Sequence, residues 1–70
     1  MAEIEMVPVA SSNLAAVGYD PETSELKIEF RSGAVYSYSG VPADVAAGVV
    51  SGGGSYFARH IKGVYPFQQE

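Results

Sequence analysis

Apolar and charged residues alternate in the first half of the chain, which is the pattern of β-strands. The alternation is strictest from Leu26 to Arg31, where every second residue is charged. A period of two predicts a strand with one buried and one solvent-facing side. Less regular runs predict further strands at Met6 to Val9, Leu14 to Tyr19 and Val35 to Ser39. Pro8 has no N–H to donate, so we expect the first of these at a sheet edge.

The hairpin between the third and fourth strands decides which way Tyr36 and Tyr38 face. A two-residue loop, Ser32-Gly33, would place both tyrosines on the charged side of the sheet. A three-residue loop, Arg31-Ser32-Gly33, places them on the apolar side. We expect the three-residue loop, because it requires a positive φ only of Gly33. Both tyrosines should then be buried, with the serine between them exposed.

The hydrophobic period changes to that of a helix in the second half of the chain. Val41, Val45 and Val49 recur every four residues and mark one apolar face. Pro42 suits the first helical position, because its missing N–H would be unsatisfied there in any case. The run Gly52-Gly53-Gly54 predicts the end of this helix.

A second, shorter helix is predicted directly after the glycines. Ser55 suits its N-cap, Tyr56 to Lys62 its body and Gly63 its C-cap. The apolar tail Val64-Tyr65-Pro66-Phe67 should then dock on the rest of the domain. Together, these elements predict a single α+β domain over residues 1–70. It consists of a small antiparallel β-meander of three to four strands, followed by two short helices packed on one face.

Composition limits how such a domain is stabilised and where it acts. The chain has 70 residues, no cysteine and one histidine, so we expect no disulfide, metal site or cofactor. A domain of this size buries only about 60 % of its unfolded surface, which favours self-association into a homo-oligomer. No apolar stretch approaches the roughly 20 residues of a membrane span. With no signal-peptide pattern at the N-terminus, we expect a cytoplasmic protein without a membrane partner.

Charge and side-chain chemistry argue for binding rather than catalysis. Four basic and eight acidic residues give a net charge of −4, which disfavours a polyanion but permits a small anion. His60 has no cysteine nucleophile to pair with, and the serines lie in predicted turns without an orienting carboxylate. No paired general-acid spacing stands out among the acidic residues. We therefore expect no enzymatic activity.

The strongest candidate site lies between Ser51 and Lys62. A glycine-rich loop that ends at Gly54 leaves backbone N–H groups at a helix start, where the helix dipole favours an anion. Ser55 adds a hydroxyl group. Arg59 and Lys62 share one helix face and supply two positive charges. The alternative is structural: the glycines end one helix, the serine caps the next, and the basic residues are solvated.

Aromatic residues supply the second half of a nucleotide site. Tyr56 and His60, four residues apart, are placed to stack on a base or ribose. Tyr36 and Tyr38 are expected under the helices, with their hydroxyl groups at the rim of the site. Stacking surfaces, backbone amides and one or two cations are what a nucleotide requires.

Several segments, in their order along the chain, resemble the KTSC domain. They are Ser11-Ser12-Asn13-Leu14, Val17-Gly18-Tyr19-Asp20, Leu26-x-Ile28-x-Phe30, Tyr36-Ser37-Tyr38, Val41-Pro42, and Tyr56-Phe57 with Ile61 and Tyr65. This domain occurs at the C-terminus of some lysyl-tRNA synthetases and as a stand-alone protein. The resemblance covers nearly the whole chain and implies an α+β fold, RNA binding and no established catalytic residue. One departure is Ala58, where the family pattern has asparagine, so a polar role at that position is not carried over.

Three functions follow as expectations. The first is sequestration of a nucleotide-like small molecule, such as an ADP-ribose-like or cyclic nucleotide signal. Very small phage anti-defence proteins that bind nucleotide signals are analogous in size. Because a domain this small encloses little volume, the pocket is expected between subunits. The second is RNA or tRNA binding through Arg31, Arg59, His60 and Lys62. The third is a protein-interaction module in which the tail from Val64 to Phe67 is the partner surface.

Overall fold

The computed structural model describes residues 4–9 and 11–70, and in these ranges the chain forms five strands and one helix. The elements are β1 (Val7–Pro8), β2 (Leu14–Asp20), β3 (Glu25–Phe30), β4 (Val35–Tyr38), α1 (Ala43–His60) and β5 (Phe67–Gln69). The strands form one antiparallel sheet in the order β1-β2-β3-β4-β5. The predicted α+β class is confirmed, and β1 with its proline lies at an edge. The sheet has five strands where three to four were predicted, because the C-terminal segment pairs with β4.

The predicted hairpin register is confirmed. Tyr36 pairs with Ile28 and Tyr38 pairs with Leu26, so the loop between β3 and β4 has three residues. Gly33 has a φ of 100°, a conformation that glycine adopts without strain. Both tyrosines therefore belong to the apolar face; Tyr38 is buried and Tyr36 is half-buried.

Ser37 faces the other side of the sheet but is half-buried, so the expectation that it is exposed was wrong. Its Oγ donates a hydrogen bond to Oε2 of Glu70 at 2.6 Å. Lys27 Nζ lies 3.1 Å from the same oxygen. The reason is the return of the chain as β5, which brings the side-chain carboxylate of Glu70 over this part of the sheet.

The helical region differs from the two predicted helices in its continuity. One helix, α1, spans the glycines, and its backbone leaves the helical conformation only at Gly53, with φ 64° and ψ −145°. Pro42 occupies the N-cap position rather than the first helical position. Ser55 lies inside the helix, so its prediction as an N-cap was wrong. The helix ends at His60, two residues earlier than predicted, and Gly63 follows with a φ of 77°.

The core lies between one face of the sheet and α1. Its largest fully buried side chains come from strands, helix and connecting segments: Leu14, Val17, Leu26, Ile28, Val41, Val49 and Ile61. The hydroxyl of Tyr19 donates to the carbonyl of Val41 at 2.5 Å and so ties β2 to the segment that enters α1. Within the ranges described, no helix has the length and hydropathy to span a membrane.

Candidate functional site

A cleft of about 640 Å³ opens between the second half of α1, the β3–β4 turn and β5. Small-molecule sites commonly have volumes of roughly 300–1,000 Å³. The cleft is formed within one chain, whereas the sequence led us to expect a pocket between subunits. The difference arises because β5 adds a wall beside β4 that the sequence pattern did not predict.

Five aromatic side chains form one continuous surface of the cleft, here called the aromatic wall: Phe30, Tyr36, Tyr38, Phe57 and Phe67. Phe30 contacts Tyr36 and Phe57 edge-on, with ring centroids 5.3 and 5.5 Å apart. Tyr38 contacts Phe57 at 5.6 Å and Tyr36 at 6.5 Å. Phe67 lies against both tyrosines, at 5.3 and 5.5 Å. Since Phe67 is 58 % exposed, a large part of its surface is accessible to a ligand.

Another part of the cleft lining is polar and is here called the polar end. It comprises Ser12, Asn13, Arg31, Ser32 and Gly54. Arg31 Nε donates to the carbonyl of Ser11 at 2.7 Å, and its backbone N–H donates to the carbonyl of Asn13 at 3.0 Å. These two bonds fasten the β3–β4 turn to the loop that precedes β2. They also hold the guanidinium group at the cleft.

One hydroxyl group joins this loop to α1. Ser11 Oγ accepts hydrogen bonds from the backbone N–H groups of Asn13, Leu14 and Gly54, each at 3.2 Å. The Gly54 amide lies directly after the break at Gly53, where a helical N–H would otherwise lack a partner. The predicted free amide is therefore satisfied by Ser11. The predicted capping role belongs to this residue of the N-terminal loop and not to Ser55.

Electrostatically, the cleft differs from the protein as a whole. Arg31 and Lys62 line it, which places two of the four basic residues of the chain at one site. Among the described residues that line the cleft, none is acidic, although the chain has eight acidic residues and a net charge of −4. The cleft is thus a locally positive site on a negatively charged protein.

Tyr38 lines the cleft, and its side chain carries a hydroxyl group that can donate a hydrogen bond. Burial raises the pKa of Tyr38, and the neighbouring Tyr36 raises it further. The phenol is therefore neutral around pH 7. It makes no hydrogen bond to the described residues, so its proton is available to a ligand.

The predicted site residues fall into two groups. Tyr36, Tyr38, Gly54 and Lys62 line the cleft. The remaining four, Ser55, Tyr56, Arg59 and His60, are not among its lining residues. The structure thus joins the tyrosines of β4 to the glycine-rich segment, as the sequence suggested. Only some residues of the predicted segment from Gly54 to Lys62 line the cleft, because successive side chains along a helix point in different directions.

Tyr56 and His60 pack against each other with ring centroids 4.2 Å apart. The Tyr56 side chain also lies over Gly48 and Gly52, where an added Cβ would collide with it. These glycines allow Tyr56 to fold back along α1 across the break. Its contacts therefore explain part of the glycine-rich sequence by packing.

Sequence reasoning missed Phe30, Phe57 and Phe67 as site residues and named Arg31 only for RNA binding. The hairpin register carried the signal for Phe30, because that ring lies on the same face as the two tyrosines. Arg31 and Phe67 reach the cleft through a turn and a C-terminal strand. Their positions depend on contacts with residues distant in sequence.

Comparison with known proteins agrees with this fold. The family model for the KTSC domain matches residues 10–65. The chain belongs to the KTSC domain family. The solved structure of a KTSC domain protein from Yersinia pestis superposes with a TM-score of 0.89 at 34 % sequence identity. The superposition covers 97 % of this chain and 99 % of that one.

Two further relatives match the chain over different shares of their own length. An uncharacterized protein of Stutzerimonas stutzeri is 37 % identical over 62 residues, which cover 89 % of this chain and 84 % of the relative. The lysine–tRNA ligase of a Nostoc species is 37 % identical over 60 residues, or 83 % of this chain. That match spans only 11 % of the ligase. The resemblance inferred from the sequence motifs is confirmed.

Proposed function

We propose that this KTSC domain is a non-catalytic protein that binds a nucleotide-type small ligand in the cleft. The proposal is supported above all by the lining of the cleft, which combines the aromatic wall with Arg31 and Lys62. A nucleotide has a planar base and an anionic phosphate. Aromatic side chains stack on bases, and charged nitrogen donors form strong hydrogen bonds with phosphate oxygens.

The distribution of charge favours a small anion over a long one. Only the ligand atoms inside the cleft come close to Arg31 and Lys62, whereas a polyanion would also pass along a surface of net negative charge. Binding without turnover would lower the free concentration of the ligand in proportion to the protein present. The proposed role is therefore sequestration or sensing of a nucleotide signal, with ADP-ribose-like and cyclic nucleotides as the first ligands to test.

A thermal-shift screen followed by calorimetry tests the proposal. The panel contains ADP-ribose, cyclic AMP, AMP and inorganic phosphate. A ligand present at 100 times its Kd stabilises the folded state by about 2.7 kcal/mol, which raises Tm measurably in a domain of this size. We expect at least one nucleotide to raise Tm, with unchanged ligand recovered after incubation.

Two arginines provide a matched pair of variants for this screen. Arg31→Gln removes a positive charge from the cleft, whereas Arg59→Gln removes the same charge from an exposed position that does not line it. We expect the first to weaken nucleotide binding about tenfold or more, since a charge-assisted hydrogen bond contributes roughly 1.5–3 kcal/mol. The second should leave affinity unchanged within about twofold. The proposal fails if no nucleotide binds, or if only Arg59→Gln weakens binding.

RNA binding is the second candidate, favoured by the match to a part of the Nostoc lysine–tRNA ligase. Its four candidate residues are divided in the structure: Arg31 and Lys62 line the cleft, whereas Arg59 and His60 do not. Salt dependence distinguishes the two candidates. The logarithm of RNA affinity should fall with the logarithm of salt concentration, with a slope of about −0.7 per phosphate neutralised. A mononucleotide in the cleft should show a slope no steeper than that of one or two phosphate contacts.

A further inference from the structure

The cleft has two chemically different parts, the polar end and the aromatic wall, and this difference constrains how a ligand can lie. The polar end is held together by the hydrogen bonds among Ser11, Asn13, Arg31 and Gly54. The aromatic wall is held together by ring contacts at 5.3–6.5 Å. Phe30 and Arg31 are adjacent in sequence and form the boundary between the two ends. A ligand with an anionic group and a planar ring can therefore contact both, with the anion at the polar end and the ring at the aromatic wall.

At the polar end, Arg31 is already oriented before a ligand arrives. Its Nε–H is used by the carbonyl of Ser11, at 2.7 Å. A guanidinium group has five N–H donors in a fixed plane, so this bond leaves the four N–H groups on its two Nη atoms. A pair of N–H groups in that geometry matches two oxygens of a phosphate. Because the side chain is anchored, less conformational entropy is lost when the anion binds.

At the aromatic wall, Phe67 and Tyr38 offer complementary contacts. Phe67 presents an exposed ring. Tyr38 lies 5.5 Å from it, is only 4 % exposed, and keeps a neutral hydroxyl group as a donor. A planar ring that packs on Phe67 would lie close to Tyr38, whose hydroxyl group can donate to a polar ring edge. This arrangement suits a nucleobase, which has ring nitrogen or carbonyl acceptors along its edge.

We propose that the cleft binds a nucleoside phosphate in a single orientation, with the phosphate at Arg31 and the base at Phe67 and Tyr38. The inference rests on the proposed function and adds the ligand class and its direction in the cleft. It predicts that the cleft requires both halves of the ligand. Neither a nucleoside nor a sugar phosphate alone should bind as tightly as the nucleotide.

Calorimetry with three probes tests the orientation: AMP, adenosine and ribose 5-phosphate. Each probe is measured with the wild-type chain, Arg31→Gln and Phe67→Ala, with Arg59→Gln as the control. Arg31→Gln should weaken AMP and ribose 5-phosphate tenfold or more and leave adenosine within twofold. Phe67→Ala should weaken AMP and adenosine at least fivefold and leave ribose 5-phosphate within twofold. Tyr38→Phe should weaken AMP and adenosine, because it removes the donor but keeps the ring.

The probes also serve as folding controls, because a variant that still binds one half of the ligand is folded. The orientation is overturned if Arg31→Gln weakens AMP and adenosine equally, or if AMP binds the wild-type chain no more tightly than adenosine. It is also overturned if AMP does not bind at all. In each of these cases, a Tm increase with another nucleotide would leave the proposed function standing. Failure of every nucleotide in the screen would remove both.

Discussion

Ser11 shows how one residue can organise a site that it does not line. Its Oγ accepts three backbone hydrogen bonds, and its carbonyl accepts the bond from Arg31 Nε. A Cβ added at Gly54 would approach this hydroxyl to 3.2 Å, so the contact between loop and helix is close. Through these bonds, Ser11 fixes both the break in α1 and the direction of the cleft arginine.

Ser11→Ala should therefore destabilise the domain. The substitution leaves the amide groups of Leu14 and Gly54, both in partly buried bonds, without their acceptor. Loss of such a cap costs about 0.5–2 kcal/mol. Ser55→Ala, at an exposed helical position, should change stability by less than about 0.5 kcal/mol. Urea unfolding of both variants measures the difference, and equal losses would contradict the role assigned to Ser11.

At the scale of elements, β5 is the part of the fold that completes the cleft. It pairs with β4 through Tyr38 and Phe67, Ser37 and Gln68, and Tyr36 and Gln69. Beyond its end, the Glu70 carboxylate is held by Ser37 and Lys27. The strand carries Phe67 and lies at an open edge of the sheet. Its attachment therefore decides whether the aromatic wall is complete.

The attachment of β5 should weaken in acid. Hydrogen bonds from Ser37 and Lys27 lower the pKa of Glu70 below its ordinary value. Because this pKa is lower in the folded state, the contribution of Glu70 to the attachment of β5 is fully present above the ordinary glutamate pKa. The contribution is lost as the pH falls through the lowered value. Hydrogen-exchange protection factors of the β5 amides should fall over this interval. In Glu70→Gln these protection factors should be low at every pH, while in Glu22→Gln they should follow the wild type. Wild-type protection factors that do not change with pH would contradict the prediction.

The sequence predicted the elements that depend on local contacts better than it predicted β5. The β3–β4 register followed from one glycine at the third loop position, because the two-residue loop would also require a positive φ at Ser32. A helix end within Gly52-Gly53-Gly54 and a second helix directly after it were also predicted, but not the cap by Ser11, since that bond spans 43 residues. The strand β5 has no alternating pattern in Phe-Gln-Gln. Its pairing, and hence the place of Phe67 in the cleft, depends on long-range contacts.

At the scale of the whole molecule, the exposed apolar residues around β5 bear on association with further copies. Val64 and Phe67 are 60 % and 58 % exposed, and among the described residues β5 is an edge strand of the sheet. Exposed apolar residues next to a free strand edge favour association. We therefore predict a homo-oligomer at micromolar concentration, and Val64→Ser should shift it toward the monomer. Light scattering coupled to size exclusion measures the oligomeric state. A wild-type chain that is only monomeric would refute the prediction. The proposal for the cleft would stand, because one chain forms the cleft.

The central claim concerns the cleft, and the backbone amide spectrum of the ¹⁵N-labelled chain during titration with a nucleotide tests it most directly. Binding in the cleft predicts that the largest chemical-shift changes occur at Arg31, Tyr38, Gly54 and Phe67, and saturate together. These residues lie on four different elements or turns, so their joint response would identify a single site. A titration that leaves these amides unchanged, or moves only those around Arg59 and His60, would contradict the account.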